Sequence, residues 1–278
     1  MLSRQFSHHS SARRVETVQR DGAGGWLQWP MPRDDAKLRL FCFHHAGVGA
    51  AVYRHWGSEL PSPVEVAAIQ LPGRANRFTE PPIANIPLLV QELASNLAPH
   101  LQGQFAFFGH SMGAVLAYEL AHALRNRDLP TPCQLIVSGR KAPTVPNRFL
   151  PLSHLPDDDF IAEINNRYGG IAPEILQHQD VLNLLLPCLR ADIAALESFA
   201  TPGYPPLEIP IAVFGGDSDR QNPVEDLAPW RQATTAEFRL RVFPGGHFYL
   251  DALRKRVVAE VLEILRPHMD LAEGLPLP

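Results

Sequence analysis

No stretch of this 278-residue sequence stays apolar long enough to cross a bilayer. Runs such as LIVSG and IAVFGG stop after five or six residues, where a spanning helix needs about 20. Excess charge of one sign is missing too. A formal net charge of -4 and the lack of any long Lys/Arg run leave no electrostatic footprint for nucleic acid. Cysteine is scarce: Cys42, Cys133 and Cys188 are an odd number at wide spacing inside apolar segments. That pattern fits reduced core thiols in the cytoplasm better than a disulfide framework or a metal site. The opening residues, MLSRQFSHHSSARRVETVQRDGAGG, contain no apolar segment that could serve as a secretory h-region. They read as a solvated, disordered tail over residues 1–24, and its neighbouring His8 and His9 are not taken as metal ligands.

Apolar residues, by contrast, are plentiful: 45% are hydrophobic against 19% charged, enough to bury a large core. From about residue 37, β-branched and aromatic runs recur at 38–43, 64–69, 105–109, 134–139, 209–215 and 238–243. Segments with a 3.6-residue apolar period lie between most of them, at 86–100, 112–126, 225–233 and 249–265. The alternation predicts an α/β protein: one domain over 25–278 with a mostly parallel sheet flanked by helices. Between about 145 and 206 the pattern is helical only, which predicts an inserted helical lid rather than an ordinary crossover. The last residues, AEGLPLP, read as a frayed tail.

The segment FAFFGHSMGAVLAYELA, residues 105–121, places G-x-S-x-G where a buried strand gives way to an amphipathic helix. A chain that runs straight from strand to helix must turn sharply, and a serine at the tip projects its hydroxyl above the sheet. Gly109 and Gly113 fit this turn because side chains there would collide across it. Ser111 is therefore the candidate nucleophile, and the N–H of Met112, at the helix start, is a candidate oxyanion donor.

A serine hydroxyl needs a base to take its proton and a carboxylate to orient that base, in the chain order Ser, Asp, His. His247, in FPGGHFYLD, lies on a Gly-rich loop between the last strand and the last helix. The other histidines considered, His55, His122, His154, His178 and His268, fall in or beside helical patterns and read as packing or surface residues. For the acid, IAVFGGDSDRQNPV offers two residues just past a strand. The spacing of three from Gly216 favours Asp219, with Asp217 capping the turn; Asp217 stays open as the alternative. The small residues after Phe43 in LRLFCFHHAGVGAA allow close backbone approach, so the Ala46 N–H is the second candidate oxyanion donor. The adjacent His44 and His45 lack a third ligand for zinc, and no metal site is expected.

Seven stretches, in order, resemble the stand-alone type II thioesterases that accompany nonribosomal peptide and polyketide synthases: FCFHHAGVGAAVYRHW (41–56), LPGRANRFTEPP (71–82), FFGHSMGAVLAYELA (107–121), VSGRKAP (137–143), LPDDDFIAEI (155–164), LLLPCLRADIAALESF (184–199) and FPGGHFYL (243–250). The resemblance implies an α/β-hydrolase that clears acyl groups from the phosphopantetheine arm of acyl or peptidyl carrier proteins. Ser111, Asp219 and His247 would be its triad, and Ala46 and Met112 its oxyanion hole. It implies no cofactor of the enzyme's own, since the substrate carries the phosphopantetheine. The sequence departs from the family pattern at His44, where Pro is usual, at Val48, where Gly is usual, and after Asp219, where Pro and Val are delayed to Pro223 and Val224. A monomer is the default expectation. Arg74, Arg77, Arg140, Lys141 and Arg148 fall in loops near strand ends and read either as a basic docking rim for an acidic carrier or as scattered solvated charges. A generic carboxylesterase or acyltransferase of the same fold, without a carrier partner, remains the alternative.

Overall fold

The computed structural model describes residues 24–171 and 176–269. The tails expected at 1–24, apart from Gly24, and at AEGLPLP lie outside them. The described chain builds one seven-stranded sheet from β1 (Leu27–Gln28), β2 (Leu38–Phe43), β3 (Val64–Ile69), β4 (Gln104–His110), β5 (Gln134–Ser138), β6 (Ile211–Gly216) and β7 (Phe238–Phe243). Their spatial order is β1-β3-β2-β4-β5-β6-β7, and every neighbouring pair is parallel except β1 with β3.

Two-residue periodicity decides which side each strand residue serves. On β2, Phe41 and Phe43 join the core on one face while Leu38, Leu40 and Cys42 join the core on the other. On β4, Phe105 and Phe107 face the first core and Ala106 and Phe108 the second. Helices α1 (Ile86–Leu97) and α2 (Met112–Arg125) cover the first face through Leu93, Leu97, Leu116 and Leu120. A later helix, Arg254–Leu265, covers the second through Val257, Val258, Val261 and Leu262. With both faces covered, the strands read as continuous apolar runs, as parallel sheets do.

The insertion between β5 and β6 contains α3 (Asp157–Tyr168) and α4 (Gln179–Glu197), and its described residues include no strand. Asp157, Asp158 and Asp159 occupy the first turn of α3, where they complement the helix dipole, and Gly169 ends it in a left-handed conformation. The two helices share a small core of Leu152, Phe160, Ile161, Ile164, Leu182, Leu186 and Ile193. The last long helix, Arg254–Leu265, is α5.

Several boundaries differ from the sequence reading. β1 is too short to show a period, and its main-chain pairing with β3 alone defines it. The strand expected at 209–215 is found at Ile211–Gly216. The helix expected at 225–233 is one α-turn, Val224–Leu227, followed by a 3-10 stretch, and the one expected at 249–265 breaks at Leu253. The three cysteines are free thiols, Cys42 and Cys188 buried and Cys133 half-buried. No helix among the described residues is long and apolar enough to cross a membrane.

Candidate active site

The site forms beyond the carboxyl ends of the parallel strands, where open α/β sheets bind ligands. The loop 44–49 leaves β2, Ser111 leaves β4, Asp219 leaves β6 and His247 leaves β7. Ser111 caps α2 with φ 55° and ψ -112°, a strained conformation for a residue with a side chain. The two glycines make that turn possible. A Cβ on Gly109 would lie 2.1 Å from the Gly113 carbonyl oxygen, and one on Gly113 would lie 2.0 Å from that of Phe43. The Ser111 N–H donates to the Ser138 carbonyl at 2.8 Å, tying the turn to β5.

The structure brings Ser111, His247 and Asp219 into one chain of hydrogen bonds. His247 Nε2 lies 3.0 Å from Ser111 Oγ, and His247 Nδ1 lies 2.7 Å from Asp219 Oδ2. All three residues are buried. The second oxygen of Asp219 accepts the N–H groups of Gln221 at 2.9 Å and Asn222 at 3.1 Å. Burial pushes the Asp219 carboxyl up, but the hydrogen bond and charge of His247, with the two amides, outweigh it and hold it below its ordinary value. Asp217 lies apart from His247. It is exposed, and its Oδ1 accepts the Gly245 N–H at 3.0 Å and the Ser218 hydroxyl at 2.8 Å. Those bonds, the Gly245 amide first, lower its carboxyl as well.

The His247 ring sits among the rings of Phe248, Tyr168 and His110 at 4.9, 5.0 and 5.1 Å. Behind it a buried relay runs from His110 Nδ1 to Ser138 Oγ (2.8 Å) and on to the Tyr249 hydroxyl (2.5 Å). Burial keeps His110 neutral, with its pKa well below the ordinary value. His45 borders the same space, and burial, with the His247 charge, lowers its pKa to about 4. His44 is buried and directed elsewhere, its Nδ1 against the His45 carbonyl at 2.8 Å. The N–H groups of Ala46 and Met112 have no acceptor among the described residues. Met112 opens α2, where no intrahelical acceptor exists for it.

Two cavities meet at Ser111. One, about 140 Å³, is walled mainly by α3 and α4: Ile161, Ile164, Leu182, Leu186 and Ile193 line it together with Ala46. The other, about 90 Å³, is lined by Arg140, Lys141, Arg148, Arg167, Asn222 and Asp226. Three of its four cations are occupied: Arg148 by Asp226 (2.6 Å), Arg167 by Glu163 (2.8 Å) and Lys141 by the Pro146 carbonyl (2.6 Å). The Arg140 guanidinium has no hydrogen-bond or ion-pair partner among the described residues. Burial lowers its pKa, and Tyr168 is the one neighbour acting the other way.

Of the two readings of the basic loop residues, a docking rim or scattered solvated charges, neither holds for Arg74 and Arg77. Arg74 and Arg77 are buried: Arg74 pairs with Asp192 of α4, and Arg77 pairs with Glu80 and lies over the Trp26 ring at 4.2 Å. Arg140 and Lys141 are half-buried, and only Arg148 is exposed. The sequence reading missed Asp192 and Tyr168. Asp192 carries a usable signal, an acid set within an apolar helical run; Tyr168 carries none.

A strained serine on a strand-to-helix turn, hydrogen-bonded to a histidine that is in turn bonded to a buried aspartate, defines a serine hydrolase of the α/β-hydrolase fold. The chain belongs to the thioesterase domain family, which matches residues 38–268, and is a hydrolase acting on thioesters. It is 40% identical over 232 residues to the gramicidin S biosynthesis protein GrsT of Aneurinibacillus migulanus, covering 83% of this chain and 90% of that protein. It is 36% identical over 247 residues to the linear gramicidin dehydrogenase LgrE of Brevibacillus parabrevis, covering 88% and 94%. LgrE bears the name of another activity, so the family rests on the domain match. Among solved structures, RedJ, a thioesterase from the prodiginine biosynthetic pathway in Streptomyces coelicolor, superposes with a TM-score of 0.78 at 36% identity, covering 82% and 90%.

Proposed function

We propose that this thioesterase hydrolyses acyl groups from the phosphopantetheine arm of carrier proteins, clearing mischarged or stalled synthase modules. The observation that carries the reading is the position of Ser111 where an apolar cavity meets a polar one. A carrier-bound thioester has the same division, an acyl chain on one side of its carbonyl and an amide-bearing arm on the other. The acyl chain lies under the lid helices, and the unpaired Arg140 offers its N–H groups to the arm's carbonyl oxygens. The names of GrsT and RedJ, each tied to a biosynthetic pathway, support a carrier-bound substrate.

In the first half-reaction Ser111 Oγ bonds to the carbonyl carbon as its proton passes to His247 Nε2. Asp219 holds the imidazole in the tautomer that can accept it and stabilises the imidazolium. The N–H groups of Ala46 and Met112 receive the developing oxyanion. The C–S bond breaks, the pantetheine sulfur leaves with little help because a thiol pKa is about 8.5, and the His247 proton follows it. In the second half, water adds to the acyl-enzyme with His247 as base. The C–Oγ bond breaks, the proton returns to Oγ and the free acid departs. No cofactor of the enzyme's own takes part.

The test is intact-protein mass spectrometry of an acetyl-loaded carrier protein incubated with the wild type or with Ser111→Ala. The wild type should remove the acetyl mass and leave the pantetheine arm. The variant should lose on the order of 10⁶ in turnover, as triad hydrolases do without their nucleophile. If both leave the carrier loaded while p-nitrophenyl esters are cleaved, the carrier-independent esterase takes its place.

A further inference from the structure

One carboxylate lies between the lid and the catalytic loops where no solvent reaches it. Asp192, on α4, is fully buried and accepts three N–H bonds. Its Oδ2 receives Arg74 Nη1 at 2.7 Å and the Gly47 N–H at 2.8 Å, and its Oδ1 receives Arg74 Nη2 at 2.9 Å. Arg74 in turn donates to the Val48 carbonyl at 3.0 Å and the Pro72 carbonyl at 3.2 Å. Both members of the pair therefore grip the loop after β2, the acid through Gly47 and the base through Val48. The contact is close because Gly47 has no side chain. Its φ is +79°, and a Cβ there would stand 2.8 Å from Leu189 Cδ1, three residues before Asp192 on α4.

The peptide plane held by the Gly47 N–H is the one that joins it to Ala46, so its orientation sets the conformation of Ala46 one atom from the Ala46 N–H. We propose that Asp192 and Arg74 are positioning residues that aim the Ala46 N–H, so that the oxyanion hole is complete only while α4 lies against the loop. The lid then has two tasks, to wall the acyl cavity and to finish the machinery beneath it. A stabilising role alone explains the arrangement poorly. A buried ion pair is weak evidence for stability, since apolar residues of similar volume commonly replace one without loss. The third bond, to a backbone amide beside a candidate oxyanion donor, is what such a replacement would remove.

This inference rests on the proposed roles of Ser111 and Ala46, and the experiment separates the two. The double variant Arg74→Leu/Asp192→Leu removes both charges together, avoiding the stranded ion that either single change would leave, and Asp192→Asn serves as a second, milder variant. Removing an oxyanion donor outright costs about 10²- to 10³-fold in kcat. Misaiming one is expected to cost the double variant about 10- to 100-fold in kcat on p-nitrophenyl acetate, with KM within about threefold. The inhibition constant of a trifluoromethyl ketone, whose tetrahedral adduct carries an oxyanion, should rise by the same factor as kcat/KM falls. Affinity for the product acid, which forms no such oxyanion, should hold. Asp192→Asn should move kcat and the ketone constant in the same direction by less. A folded variant, either one, with unchanged kcat and unchanged ketone inhibition overturns the proposal. So does a loss confined to KM and product affinity, which would reduce the pair to a wall of the pocket. Failure of the wild type on carrier thioesters alone would count against the proposed function and leave this result standing.

Discussion

Ser111 hangs from the sheet by its backbone, whereas the helices above it are tied down by side chains. Beneath the site, Ser111 N–H bonds the Ser138 carbonyl at 2.8 Å, and the Asp217 and Ser218 N–H groups bond the Phe243 and Gly245 carbonyls at 2.9 Å each. These main-chain bonds tie the turns that carry Ser111 and Asp219 to strand ends or to the turn beside them. In the lid, Arg190 reaches Asp157 (2.5 Å) and the Ser153 and Leu155 carbonyls, Glu197 accepts the Ser153 N–H at 3.1 Å, and Asp192 reaches down to Arg74. Part of the apolar surface of α4, at Val181, Leu184 and Leu185, remains exposed. Long side chains can re-form their bonds after a displacement more readily than main-chain bonds at strand ends can. The bed is thus suited to holding one reaction geometry and the lid to accepting different acyl groups. Changes in the bed should lower the rate for every acyl chain, and changes in the lid should redistribute activity among chains.

The largest expected effect tests the bed. Asp219→Asn keeps the shape but favours the wrong His247 tautomer, and by comparison with other triads should cost about 10⁴ in kcat. The loss should be the same for acetyl and octanoyl thioesters of one thiol. Asp217→Asn, which removes only the charge of an exposed turn residue whose contacts an amide oxygen can still accept, should leave kcat within about threefold. A loss at Asp219 that varied strongly with chain length, or a comparable loss at Asp217, would break the division between bed and lid.

That the two aspartates needed a structure at all shows where sequence reading stops. The six longer strands, the helix after Ser111 and the insertion are legible because apolar period and glycine spacing are local properties. Asp217 and Asp219 both follow β6 within three residues. What separates them is the turn: Asp217 is drawn to the Gly245 amide while the amides of Gln221 and Asn222 hold Asp219 toward His247. Arg74 misleads for a related reason. A loop arginine whose partner lies 118 positions away, as Asp192 does from Arg74, has the same local pattern as a solvated one. The two-residue β1 is defined by partner β3 and has no pattern of its own.

The next effect belongs to the lid. Ile164, on α3, lines the apolar cavity proposed for the acyl chain and is nearly fully buried, so Ile164→Phe fills part of the space of about 140 Å³. Discrimination in apolar pockets runs at about 10- to 200-fold per methylene-sized change. The ratio of kcat/KM for octanoyl over acetyl thioester should fall within that range, while kcat for acetyl stays within about threefold. An equal loss on both substrates would mean that the lid residue disturbs the bed, and the comparison would have to be redrawn.

The smallest effect lies at the seam where the segment leaving the lid meets the bed. Tyr204, seven residues past α4, donates its hydroxyl to Glu119 Oε2 of α2 at 2.9 Å. Burial pushes the Glu119 carboxyl up to about 7, and the Tyr204 bond offsets only part of the rise. The folded pKa is thus above the unfolded value of about 4.3, so the folded state binds the proton more tightly. Its stabilising contribution is fully present below the unfolded pKa and is lost as pH rises through the folded one. Gln at this position accepts the same hydroxyl and never ionises. Glu119→Gln should therefore match the wild type near pH 4 and exceed it above pH 8 by about 2–4 kcal/mol, the upper end without solvent screening, a gain of roughly 4–16 °C in Tm. Thermal denaturation across that pH range reads it directly, and kcat should not change. A stability difference constant with pH would mean that Glu119 does not titrate between the two limits. A change in kcat with pH-dependent stability would show instead that this seam transmits its charge state to the lid.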